Sequence, residues 1–109
     1  MIYTALFNRH KLILQSIEYY LSQSDEIRNV LSVTDRDALV EKMKDRIINV
    51  LIMIFREVTH NDLDMIISLR MKYPKTAILV AAEPQRDDIV VKAIKAGAKG
   101  FLAIDSEIS

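Results

Sequence analysis

The sequence predicts a three-layer α/β fold built on a five-stranded parallel sheet. Three observations carry that prediction. Short apolar runs alternate four times with segments of helical spacing, and the chain then ends on one more apolar run. The middle run, Asn49 to Phe55, has no polar alternation, as expected of a strand buried on both faces. The two glycines and two prolines stand between runs rather than inside them. Strand–helix alternation of this kind implies parallel strands joined by right-handed helical crossovers.

Each element follows from its residues. Ile2 to Phe7 is a short apolar run and reads as a strand. From His10 to Gln23 the spacing of Ile13, Ile17, Tyr20 and Leu21 is helical. Ile27 to Val33 is the second strand. Thr34-Asp35-Arg36-Asp37 resembles a capping box, with the Thr34 hydroxyl as acceptor, and opens a helix carrying Leu39, Val40 and Met43. Asn49 to Phe55 is the third strand. Asn61 to Tyr73 is the third helix, with Leu63, Ile66, Ile67 and Leu69 inward and Pro74 as its stop. Ala77 to Ala82 is the fourth strand, and Arg86 to Ala96 the fourth helix, closed by Gly97 in a left-handed cap. Phe101 to Ile104 is the fifth strand. A fifth helix is missing from the sequence, since Ser106 to Ser109 supplies at most one turn.

Composition excludes several classes. The 109 residues suit one domain. Lys+Arg and Asp+Glu are 15 each, so the chain lacks the basic footprint of a nucleic-acid binder. No cysteine is present, which removes disulfides, thiol nucleophiles and thiolate zinc sites and fits a cytoplasmic setting. The longest apolar run, Val50 to Phe55, falls far short of the ~20 residues that span a bilayer, so no membrane partner is expected.

Three stretches carry a resemblance. They are Asn8-Arg9-His10-Lys11-Leu12 after the first strand, Lys72-Tyr73-Pro74 before the fourth, and Lys92-Ala93-Ile94-Lys95-Ala96-Gly97-Ala98-Lys99-Gly100-Phe101-Leu102. Together they resemble a receiver domain of a two-component response regulator, of the NarL/FixJ (LuxR-type) branch. The third is close to that branch's Ala-(x)3-Gly-Ala-x-Gly-Tyr-Leu passage. The resemblance implies a flavodoxin-like (CheY-like) sheet of order 2-1-3-4-5, with residues 1–109 as a single receiver-like domain. It implies chemistry at the carboxyl ends of the strands.

A phosphorylatable receiver carries an acid pair for Mg2+ after strand one and an Asp acceptor ending strand three. It carries Ser or Thr ending strand four and Lys ending strand five. The resemblance puts these positions on Asn8 and Arg9, Ile54, Ala82 and Ile104, and the aromatic switch position on Phe101. The usual loop glycine after strand three is replaced by Asp62. Isoleucine has no nucleophilic oxygen, so no acyl phosphate can form on it. A divalent ion about 5 Å from a guanidinium is repelled by about 7 kcal/mol at an effective dielectric of about 20. The expectation is a degenerate receiver that works without aspartyl phosphorylation.

Arg9 is expected to occupy the former ion position and pair with Glu57 or Asp105, the alternative being a solvated rim arginine. His10 and His60 stand near Glu57, Asp62, Glu83 and Asp105 at one rim, but their spacing matches no metal-ligand motif, and no metal or other cofactor is expected. Neither a nucleophile elbow nor a Gly-rich phosphate loop is present, so the chain does not read as an enzyme. Leu12, Leu14 and Tyr19 lie off the Ile13–Ile17–Leu21 stripe. Leu12 is expected against the missing fifth helix, and Leu14 and Tyr19 at a dimer contact. Ile94 and Phe101 lie on the face through which receivers commonly dimerise, though Phe101 equally suits a core ring.

The function expected is protein–protein contact, chiefly homodimerisation, in signal transduction and transcription regulation. DNA would be reached only through a C-terminal helix-turn-helix domain absent from this sequence. The alternatives are a stand-alone adaptor binding a kinase or regulator, or a small-ligand binder using an apolar rim of Asn8, Arg9, Ile54, Ala82 and Ile104. An enzyme or flavin-type protein on a similar fold is the remaining class.

Overall fold

A computed structural model describes residues 1–104. The elements run β1 (Ile2–Phe7), α1 (Lys11–Leu21), β2 (Ile27–Val33), α2 (Arg36–Met43), β3 (Val50–Phe55), α3 (His60–Lys72), β4 (Ala77–Ala82), α4 (Asp87–Ala96) and β5 (Gly100–Ala103). The strands form one sheet in the order β2-β1-β3-β4-β5, and every adjacent pair is parallel. Thr4 faces Val50, Val50 faces Ala77 and Leu79 faces Gly100, which brings the carboxyl ends of β1, β3, β4 and β5 to one rim.

Side chains alternate across the sheet. One face carries Phe7, Leu51, Met53, Phe55, Ile78, Val80 and Ala82, packed with Leu39, Met43, Leu63, Met65, Ile66, Leu69 and Ala93 of α2, α3 and α4 in a single buried cluster. The chain turns back at β1. Right-handed crossovers therefore place α1 on the opposite face, with Leu6 and Ile54. Leu14 is the buried residue of α1. On that face β4 and β5 have no helical cover among the described residues, and Leu79 and Leu102 stand exposed.

Local structure departs from the sequence-based expectations at several points. Leu14 is 2% exposed while Ile13 is 41% exposed, so the inward line of α1 runs through Leu14 with Ile17 and Leu21 half-buried, and Leu14 cannot be an interface residue. Leu12, Ile13 and Leu14 are all apolar, so periodicity alone left the phase of this helix undetermined. Asp35, not Thr34, caps α2, accepting from the Ala38 N–H at 3.0 Å. In α3 Met65 is buried and Ile67 exposed, reversing the expectation for Ile67. That helix begins at His60 under a capping box of Thr59 and Asp62, so Asp62 belongs to its first turn rather than to a loop. The fifth strand runs Gly100–Ala103, one residue earlier than expected.

Candidate functional site

The rim is built from the residue after β1 outward. Asn8 is 4% exposed. Its main-chain N–H donates to the Val33 carbonyl at 3.3 Å, tying β1 to the end of β2. Its side-chain Nδ2 donates to the Ile54 carbonyl at 2.9 Å, and its Oδ1 accepts from the His10 N–H at 2.7 Å. One amide thus fastens β1 to β3 and closes the turn into α1. A carboxylate at this place would lack the donor.

Arg9 points the other way. Its Nη2 donates to Asp62 Oδ1 at 2.8 Å. The guanidinium carbon lies 5.7 Å from the Phe7 ring centroid and 5.9 Å from that of Phe55, within the range of cation–π attraction. The two rings lie 6.0 Å apart and are tilted by 56°. The Arg9 side chain is 56% exposed and that of Asp62 1%. Asp62 Oδ2 accepts from the Thr59 N–H at 2.9 Å, and the Asp62 N–H donates to Thr59 Oγ1 at 3.2 Å. The expected partners of Arg9 were Glu57 and Asp105. The observed partner is Asp62, Glu57 is exposed on the loop, and Asp105 lies outside the described residues. The Thr59-x-x-Asp62 spacing was the overlooked signal, because a capping box fixes an acid at the start of α3.

The other singled-out positions complete the rim. Ile54, one residue before the end of β3, is 6% exposed, and Ala82 at the end of β4 is fully buried. Ile104 is part-exposed, and its N–H donates to the Ala82 carbonyl at 2.6 Å. Phe101 is half-buried against the main core. Tyr19 and Ile94 are exposed. Of the apolar rim expected as a ligand entrance, Asn8, Ile54 and Ala82 are buried while Arg9 and Ile104 are exposed. A cleft of about 520 Å3 lies beside it, between the β3–α3 and β4–α4 loops, and it is charged rather than apolar, with Arg56, Glu57, His60, Glu83, Arg86 and Lys92 among its lining. Several of its polar groups are partnered with one another: Gln85 donates to the Arg56 and Glu83 carbonyls, Arg56 approaches Glu83 at 3.5 Å, and Arg86 pairs with Asp88 at 2.7 Å. The hydrogen bond from Arg86, with its charge, holds the Asp88 carboxyl below its ordinary value of 3.8. His10 and His60 are exposed, and among the described residues no three His, Asp or Glu side chains gather as a metal-holding group. Nor is any helix among those residues long and apolar enough to cross a membrane.

No protein-family model and no curated protein matches the chain. Solved structures do. The RcsB response regulator of Salmonella typhimurium superposes with a TM-score of 0.84 at 17% identity, covering 94% of this chain and 54% of that one. The signal receiver domain of the response regulator NarL from Mycobacterium tuberculosis gives 0.82 at 24% identity over 96% of this chain and 85% of that one. A pilus assembly-related protein from Burkholderia pseudomallei gives 0.81 at 16% identity over 94% and 78%. At these identities the likeness is one of fold: the chain has the α/β receiver fold of CheY type. It spans about half the length of the RcsB chain it matches (54%).

Proposed function

We propose that this chain is a receiver domain of the NarL/FixJ response-regulator type that works without aspartyl phosphorylation. It acts by protein–protein contact, chiefly homodimerisation, in cytoplasmic signal transduction and transcription regulation. On this reading it catalyses nothing, binds no cofactor and reaches DNA only through a helix-turn-helix domain following the receiver. The observation that carries the reading is Ile54. A branched hydrocarbon, 6% exposed, occupies the carboxyl end of the middle strand, where the resemblance places the acceptor. No oxygen is available there to take a phosphoryl group. Arg9 adds a positive charge where a divalent ion would need carboxylates.

The test is incubation with acetyl phosphate and Mg2+ followed by intact mass measurement. The expected result is an unchanged mass, and a gain of one phosphoryl group overturns the reading. Sedimentation of the isolated domain tests the second half. A dimer weakened by Tyr19→Glu or by Ile94→Glu supports it and says which face is used; a monomer at every concentration removes homodimerisation from the reading.

A second reading, an adaptor without DNA output, draws support from the fold's occurrence in pilus assembly-related proteins of Burkholderia pseudomallei and Burkholderia thailandensis, at TM-scores of 0.81 and 0.80. The residues encoded after Ser109 separate the two. A helix-turn-helix there favours the transcription regulator, and its absence from the gene favours the adaptor.

A further inference from the structure

We infer that Arg9 is a clasp that holds the β3–α3 loop shut against the end of β1, fixing this rim in one conformation without any metal ion. The inference deepens the proposed function by naming how the site is held, and it stands on a separate set of contacts.

Two neighbouring side chains after β1 reach across the rim. Asn8 joins β1 to β3 through the Ile54 carbonyl, strand to strand. Arg9 joins the end of β1 to the start of α3, by the 2.8 Å bond to Asp62. Asp62 is also half of the capping box that starts α3, its other oxygen holding the Thr59 N–H at 2.9 Å. The guanidinium therefore acts on a carboxylate that already organises the loop. It neutralises a charge that is otherwise shut away from water, which is where pairing matters most. Its position is fixed from beneath by the Phe7 and Phe55 rings, which are themselves buried members of the main core. The guanidinium lies within cation–π range of both rings and keeps a directed N–H for the carboxylate. An ammonium on a flexible stem keeps the charge but lacks the rigid planar fork of donors. The exposed half of Arg9 leaves the clasp accessible from solvent, so it can open without unfolding the core.

Amide hydrogen exchange reads the clasp directly. The reporters are the Thr59 and Asp62 amides, bonded within the capping box, and the control is the Ala38 amide, bonded to the Asp35 cap of α2. Arg9→Ala is expected to speed exchange at Thr59 and Asp62 on the order of tenfold while Ala38 stays unchanged. Arg9→Lys, which keeps the charge and loses the planar fork of donors, is expected to fall between. In the unaltered chain, millimolar Mg2+ is expected to leave all three rates as they are. Unchanged exchange at Thr59 and Asp62 in Arg9→Ala, or an equal rise at Ala38, overturns the clasp. So does a Mg2+-dependent slowing in the unaltered chain. If Arg9→Ala does not fold, Arg9→Met, which keeps the apolar stem and removes the charge, takes its place: a selective rise at Thr59 and Asp62 supports the clasp, and full protection overturns it. A phosphoryl adduct would remove the proposed function without touching these rates, and failed exchange would remove the clasp while leaving the reading built on Ile54.

Discussion

The Asn8 side-chain amide donates to the main-chain carbonyl of Ile54 at 2.9 Å, across 46 residues of sequence. The two positions at which the resemblance expects a metal-binding acid and a phosphoryl acceptor are thus bonded to one another, and the bond needs an N–H. Asn8→Asp replaces that N–H with an oxygen facing a carbonyl in a site only 4% exposed. Losing the bond and leaving the acceptor unmatched costs about 1–3 kcal/mol. The expected outcome is a lower urea midpoint with an unchanged slope, and no Mg2+ affinity gained by calorimetry. A variant as stable as the parent would show that the amide bond is dispensable.

Restoring an acid at Ile54 is expected to fail for a related reason. The side chain is 6% exposed, on the same sheet face as buried Leu6. A carboxylate there has no designed partner, and burying it unpaired costs several kcal/mol or forces it neutral. Ala82 and Ile104 offer neither a hydroxyl nor an ammonium for phosphoryl oxygens. Ile54→Asp should therefore be destabilised and take up no phosphoryl group from acetyl phosphate in the presence of Mg2+, as read by mass. A labelled, stable Ile54→Asp protein would mean that only the nucleophile had been lost.

The sheet was legible because its strands are short segments rich in aliphatic residues that alternate with helical spacing. Ile2–Phe7, Ile27–Val33 and Ala77–Ala82 coincide with β1, β2 and β4, each followed by a polar residue, Asn8, Thr34 and Glu83. The phase of α1 was not legible. With Leu12, Ile13 and Leu14 all apolar, tertiary packing chose Leu14 and left Ile13 outside. Asn8, Arg9 and Ile54 were placed at one rim by the topology, yet the partner of Arg9 was not readable. Asp62 is 53 residues away, and its position depends on where α3 begins. That start was set by Thr59, two residues before the Asn61 suggested by the apolar spacing. Side-chain partners at loop ends inherit every error in helix boundaries, whereas strand neighbours do not.

The edge of the charged cleft gives a pH prediction. Asp88 is held below 3.8 first by the hydrogen bond from Arg86 and then by that residue's charge. A depressed folded-state value means that the pair's stabilisation is present above the ordinary carboxylate value and disappears as pH falls through the depressed one. Side-chain carboxyl NMR is expected to show Asp88 titrating below 3.8 in the parent and moving upward in Arg86→Ala. Because the pair is solvent-exposed, molar salt should shrink the difference, and the urea midpoint at neutral pH should barely move in Arg86→Ala. An Asp88 midpoint unaffected by Arg86→Ala would show that the pair does not persist in solution.

The two glycines of the Ala96-Gly97-Ala98-Lys99-Gly100 turn make opposite predictions. Gly97 ends α4 at φ +131°, a conformation that residues with a Cβ rarely adopt. A Cβ built there would meet Arg70 Cγ at 2.6 Å and Cβ at 2.8 Å, on the neighbouring helix α3. Arg70 is not free to swing aside at no cost, since its Nη1 donates to the Pro74 carbonyl at 2.7 Å and so helps to close α3. Gly97→Ala combines backbone strain with this contact, and a loss of about 1–3 kcal/mol is expected. Gly100 opens β5 with an ordinary backbone, and its added Cβ would rest 3.4 Å from Leu79 Cδ2, an ordinary van der Waals contact with a half-open side chain. Gly100→Ala should be neutral or slightly stabilising, because alanine narrows the unfolded ensemble and adds cover to Leu79. Urea denaturation of the two variants side by side checks the pair, and equal destabilisation would mean that the turn, rather than the positive φ at Gly97, controls this end of α4.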